Sequence, residues 1–159
     1  MRRLSDRSTP EDRIVALGLA LPQAPSPIAT YTTVVREDSL LYVAGHGPWR
    51  DGELRYKGTV GNDVDVPTAQ LSAELVTLNM LATLKAELGE LSKLRRVVKL
   101  LVLVACTPEF TEHHVVANGA SDLLAKVLGP DVGTHARSAF GVPSLPAGIS
   151  VEIEGVFAC

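Results

Sequence analysis

The segment Ile149-Ser150-Val151-Glu152-Ile153-Glu154 alternates strictly between apolar and polar residues. A strand built from it sends Ser150, Glu152 and Glu154 to one side and the aliphatic residues to the other, so two carboxylates share a face. In His135-Ala136-Arg137-Ser138-Ala139 the same rule sets His135, Arg137 and Ala139 together. If these two strands pair around a turn near Ser144-Leu145, Arg137 lies opposite Glu152. Two meanings fit that juxtaposition. One is a surface ion pair, worth about 0 to 1 kcal/mol. The other is a site for a small acid, where a planar guanidinium grips a carboxylate and a nearby glutamate holds or deprotonates a water. The second would be hydrolysis without metal or cofactor.

Other reactive residue types are scattered. His46 follows Gly45 at a strand end, and His135 is one alternation step from Arg137; each is open to a ligand contact or a plain surface role. His113-His114 begins a helix, where adjacent side chains diverge, so a shared metal is disfavoured and a solvated helix start is expected. Cys106, inside an apolar run, reads as packing, and Cys159 ends the sequence as an exposed thiol. Lys93, Arg95, Arg96 and Lys99 form the only basic cluster, expected at a solvated helix-to-strand junction. Glycines 45, 47, 52, 58 and 61 lack the spacing of a phosphate loop.

The elements that must hold these groups follow from the pattern. Thr9-Pro10-Glu11-Asp12 starts a short helix at about 10 to 17, and Pro22, Pro25 and Pro27 impose an extended arm after it. Residues 31–45 read as a hairpin turning at Arg36-Glu37-Asp38-Ser39, and Asp51-Gly52 marks a second tight turn before a short strand at 54–58. After Asp65-Val66-Pro67-Thr68, Leu71, Leu75, Leu78, Leu81, Leu84 and Leu88 recur at helical steps until Gly89. Residues 96–106 are apolar at almost every position, the pattern of a strand covered on both faces. A second long helix fits 111–127, followed by strands at 135–142 and 148–157. The result is an α+β layer with two long helices on one face of a sheet. Two helices cover only one side, so another copy of the chain is expected to hide the other.

Composition limits the functions open to such a layer. With 159 residues, 46% hydrophobic and 21% charged, the chain makes one domain with an ample core. Residues 1–30 form an N-terminal helix and arm, and 31–159 the body. A net charge of −3 and 4% aromatic residues disfavour nucleic-acid binding, which needs basic excess and stacking platforms. Two cysteines without a framework suit a reduced, cytoplasmic setting. Met1-Arg2-Arg3 is followed by Leu4-Ser5-Asp6-Arg7 rather than an apolar stretch, and the longest apolar run, Leu100 to Cys106, is too short to span a bilayer of about 30 Å, so a soluble protein is expected.

His135-Ala136-Arg137-Ser138, then Leu145-Pro146-Ala147-Gly148 and Val151-Glu152-Ile153-Glu154, resemble the C-terminal signature of the RidA family, also called YjgF/YER057c/UK114 or endoribonuclease L-PSP. The resemblance extends back to about Tyr31, through the Gly45 turn and Asn118-Gly119-Ala120. It implies a chorismate-mutase-like fold with a mixed sheet, assembled as a homotrimer with ligand sites in the clefts between subunits. It further implies a reactive-intermediate deaminase, needing no metal or cofactor, that hydrolyses 2-imino or 2-enamino acids to 2-keto acids and ammonia. A keto-acid-binding trimer without catalysis is the alternative, and an endoribonuclease a weaker one.

Carried over by position, Arg137 matches the arginine that grips the substrate carboxylate and Glu152 the glutamate that orients the attacking water. Tyr31 matches the tyrosine lining the cleft, and Asn118 a site asparagine. Gly45 and His46 border the same cleft. Two departures stand out: Ala44 replaces a common serine, and Ala139 replaces a cysteine two residues after the arginine. Both remove a polar handle. The longer stretch between Phe110 and Asn118 and the extra N-terminal helix mark a divergent, longer branch.

Overall fold

Thr9 opens the first helix, α1 (Pro10–Ala16), with a reciprocal cap: its hydroxyl accepts from the Asp12 N–H at 3.1 Å and the Asp12 carboxylate accepts from the Thr9 N–H at 2.9 Å. The computed structural model of the protein describes residues 8–159, so the expectation that Met1 to Arg7 is no targeting signal lies outside the described residues. An extended arm then leads to the hairpin of β1 (Val34–Glu37) and β2 (Leu40–His46). A two-residue turn at Asp51 and Gly52, with φ of 54° and 77°, joins β3 (Trp49–Arg50) to β4 (Glu53–Leu54). The remaining elements are α2 (Val66–Leu88), β5 (Arg96–Ala105), α3 (His113–Leu128), α4 (Pro130–Gly133), β6 (Ala136–Val142) and β7 (Val151–Ala158). The one-turn α4 falls where Gly129-Pro130 and Gly133 read only as chain breakers. Among the described residues no helix is long and apolar enough to cross a membrane.

The sheet is mixed, in the order β1-β2-β7-β5-β6, with β5 and β6 parallel and the other pairs antiparallel. This corrects the expected pairing of the last two strands. The strand β6 returns from α3 to lie parallel to β5, as a strand-helix-strand crossover does, and β7 takes the opposite edge of β5. Alternation fixes which residues share a face of a strand, but not which strands are neighbours.

Helices α2 and α3 cover one face. Against them pack Val97, Leu100, Val102 and Val104 of β5 and Val151, Ile153 and Phe157 of β7, all buried. Truncating one of these to alanine would cost about 2–5 kcal/mol. The leucine stripe of α2 is buried from Leu75 to Leu88, whereas Leu71, in the first turns, is exposed. Ser72, Thr77, Asn79 and Thr83 are buried as well, and each has a partner: Ser72 meets Ser150 and Thr83 meets His46, while the Thr77 hydroxyl donates to the Ala73 carbonyl. The Asn79 amide donates to the Trp49 carbonyl at 2.9 Å, fastening the hairpin there.

The other face of the sheet carries Val35, Tyr42 and Phe140, all exposed, with Leu101 and Leu103 half-buried. Within one protomer β5 is thus fully covered only on its helix side.

Candidate functional site

The α3 helix presents three groups at helical spacing to β6: the His114 carbonyl, Asn118 and Ser121. Arg137 donates to all of them, Nη2 to the His114 oxygen at 3.1 Å and Nη1 to Asn118 Oδ1 at 3.0 Å and Ser121 Oγ at 2.9 Å. All are neutral, and among the described residues no carboxylate pairs with this guanidinium. The bonds engage both Nη1 hydrogens and one on Nη2. Of the five donors of a guanidinium, the Nε hydrogen and one Nη2 hydrogen are left for a ligand. Gly119 makes the arrangement possible, since a Cβ there would run into the Gln70 backbone of α2. Glycine lets α3 settle against α2 with Asn118 turned to β6.

Glu152 belongs to a different surface. Arg137 is in register with Leu100, and Glu152 with Leu103, three residues further along β5. An odd separation reverses the face, so Glu152 projects from the side opposite α3. It lines a cleft of about 460 Å³ with Ile28, Tyr31, Ala44, Gly45 and Trp49. The carboxylate sits over Gly45, where a Cβ would collide with Oε1. Burial, helped by the negative charge of Glu154, holds the Glu152 carboxyl above its ordinary value of 4.5.

The residues singled out in the sequence therefore form two groups. Tyr31, Ala44, Gly45, His46 and Glu152 line one cleft. Arg137 and Asn118 meet at α3, and Ala139 follows them on the helix side of β6, in register with buried Val102. The ring of His46 is buried, neither at the surface nor free for a ligand. Nδ1 bonds the Ala44 carbonyl at 2.6 Å and Nε2 the Thr83 hydroxyl at 2.8 Å. Burial pushes its pKa down, opposed by the Ala44 bond. Spacing did not reveal Ser121 or the His114 carbonyl, although Asn118 and Ser121 stand one helical turn apart.

His113 is not a solvated helix start: its Nε2 lies 3.4 Å from Cys106 Sγ and its ring meets Phe110 edge to face, while His114 is exposed. Cys106 and Cys159 are both half-buried, and burial raises the Cys106 thiol. In the basic cluster, Lys93 donates to the Leu88 carbonyl at 2.7 Å and Arg96 to that of Asp131 at 3.2 Å. Those two cations are tied to helix ends.

A mixed sheet backed by two helices, with an arginine on one face and a glutamate on the other, defines a small α+β protein of the chorismate-mutase-like class. Residues 11–158 match the family model described as "YjgF/chorismate mutase-like, putative endoribonuclease", and the chain belongs to that family. Protein TCP17 of Trypanosoma cruzi is 41% identical over 140 residues, 88% of either chain. The crystal structure of Atu1372 from Agrobacterium tumefaciens, a protein of unknown function, is 47% identical with a TM-score of 0.87, covering 94% of this chain and 91% of that one. A Shewanella oneidensis MR-1 structure with the same endoribonuclease designation is 32% identical with a TM-score of 0.92, covering 96% and 100%.

Proposed function

We propose that the protein is a deaminase of small 2-imino and 2-enamino acids, working as a homotrimer whose sites take Arg137 from one protomer and Glu152 from the next. The observation that carries this is the state of Arg137: a cation fixed by neutral acceptors, with donors left over on one edge, suits the carboxylate of a small acid. Because Glu152 projects from the opposite face, an acid on Arg137 meets a Glu152 only from a second chain. The exposed Val35, Tyr42 and Phe140 on the Glu152 side supply an apolar surface for that chain to cover.

The chemistry asks for orientation and proton transfer. A protonated imine is already electrophilic at carbon. Glu152 takes a proton from a water, whose oxygen adds to the C=N carbon to give a carbinolamine. The proton returns to the nitrogen, Glu152 takes the hydroxyl proton as the C–N bond breaks, and that proton leaves with the ammonia as ammonium, a 2-keto acid remaining behind. For an enamine, the neutral carboxyl first protonates the β-carbon. A raised pKa suits Glu152 to exchange protons in both directions.

Ammonia release from 2-iminopropanoate generated in place tests this reading. The expected result is acceleration by the wild type and none by Arg137→Ala; no acceleration by concentrated wild type would overturn it. A keto-acid-binding trimer without turnover is favoured by one observation: Ala44 brings no polar group to the Glu152 cleft, and Ala139 packs against the core as a plain apolar side chain. Pyruvate binding that depends on Arg137, with no ammonia release, would select it.

A further inference from the structure

The hydrogen bonds around Arg137 continue past the guanidinium. Ser121 Oγ, which accepts from Arg137 at 2.9 Å, lies 2.9 Å from His135 Nε2, and His135 Nδ1 lies 2.6 Å from the Gly133 carbonyl oxygen. For a neutral His135 ring the directions in this chain follow from its partners. A carbonyl oxygen only accepts, so Nδ1 carries the proton. The Nε2 of a neutral ring is then an acceptor, and the Ser121 hydroxyl hydrogen goes to it. That orientation leaves a Ser121 lone pair for Nη1–H of Arg137, which can only donate.

His46 makes the same two bonds, to the carbonyl two residues before it and to the Thr83 hydroxyl of α2, but it is buried. At His135 the hydroxyl passes the interaction on to a half-exposed cation. Gly133 in turn lies so close to α3 that a Cβ there would strike the Leu124 carbonyl. The relay thus starts from backbone packed closely on α3 and ends on Arg137.

We propose that Ser121 and His135 are positioning residues for Arg137: His135 sets the hydroxyl rotamer of Ser121, which pins the Nη1 end of the guanidinium and leaves the Nε and Nη2 hydrogens presented to a carboxylate. This rests on Arg137 being the ligand clamp. Hydrogen bonds aligned in one direction polarise one another, so the ends of the relay are coupled through its middle member.

Two measurements on the full-length protein test the relay. In nitrogen NMR, slow rotation about the Arg137 Cζ–Nη1 bond is expected in the wild type and in Ser121→Thr. Faster rotation is expected in Ser121→Ala and His135→Ala, with the remaining backbone spectrum unchanged. In pyruvate titrations, Ser121→Ala is expected to weaken binding about tenfold, Ser121→Thr to restore it, and His135→Ala to weaken it several-fold. The decisive outcome is non-additivity: adding His135→Ala to Ser121→Ala should cost nothing further. Equal His135→Ala losses in both backgrounds, or unchanged Nη1 rotation in Ser121→Ala, would overturn the relay. If the wild type fails to bind pyruvate while the rotation follows the expected pattern, the relay stands and the proposed function falls.

Discussion

Arg137 and Glu152 stand on opposite faces of one sheet, on strands that flank β5, in register with Leu100 and Leu103 respectively. One surface of the protomer therefore carries the guanidinium, and the other the carboxylate.

Removing the clamp should remove binding. Arg137→Ala is expected to weaken pyruvate binding by about 100-fold or more, since it deletes a charge-assisted pair of bonds. Arg137→Lys should recover little, because an ammonium lacks the planar fork that meets Asn118, Ser121 and a carboxylate together. Calorimetric titration reads both values, and an Arg137→Ala variant binding as tightly as wild type would contradict the assignment.

Glu152→Gln should trade stability against activity. Burial holds this carboxyl above 4.5, so the folded chain binds its proton more tightly than the unfolded chain. The associated stability is complete below that ordinary value and is lost as pH rises through the folded one. At neutral pH, Glu152→Gln is therefore expected to raise Tm while abolishing ammonia release, and the gain in Tm should vanish in acid. Thermal melts at a series of pH values decide it.

His46 predicts an acid limb of the opposite origin. Burial depresses its pKa below 6.5, so the unfolded chain takes up a proton that the folded chain refuses. Stability is complete above 6.5 and declines as pH falls towards the folded value. His46→Gln should flatten that part of the stability profile. An unchanged profile would mean that His46 does not titrate as its burial requires.

A charge on the open sheet face should disperse the assembly. Leu103, half-buried between Glu152 and Phe140, is the natural position. Leu103→Asp is expected to yield monomers by light scattering with an intact helical spectrum, and to lower ammonia release by about 100-fold. Monomers of full activity would refute a shared site.

Much of the fold was legible in the sequence because its signals are local. The Thr9 cap, the Asp51-Gly52 turn, the leucine repeat of α2 and the alternation in β7 each act over a few residues. Strand order was not legible. The same alternation in β6 and β7 fits direct pairing or pairing through β5, and only the crossover through α3 decides between them. The site divides along the same line. Glu152 stands out by the alternation of β7 and Gly45 by the family resemblance, and the two lie close together in one cleft. Ser121 and His135 depend on α3 docking against β6, a contact no periodicity encodes.

The sharing of one site by two chains is tested most directly by subunit mixing. Arg137→Ala and Glu152→Gln, each inactive alone, are unfolded together in equal amounts, refolded and assayed for ammonia release. With random assembly, a site that draws Arg137 from one chain and Glu152 from its neighbour is intact in about a quarter of cases, so about a quarter of wild-type activity should return. Activity no greater than that of the separate variants, in assemblies shown to be mixed, would contradict the account.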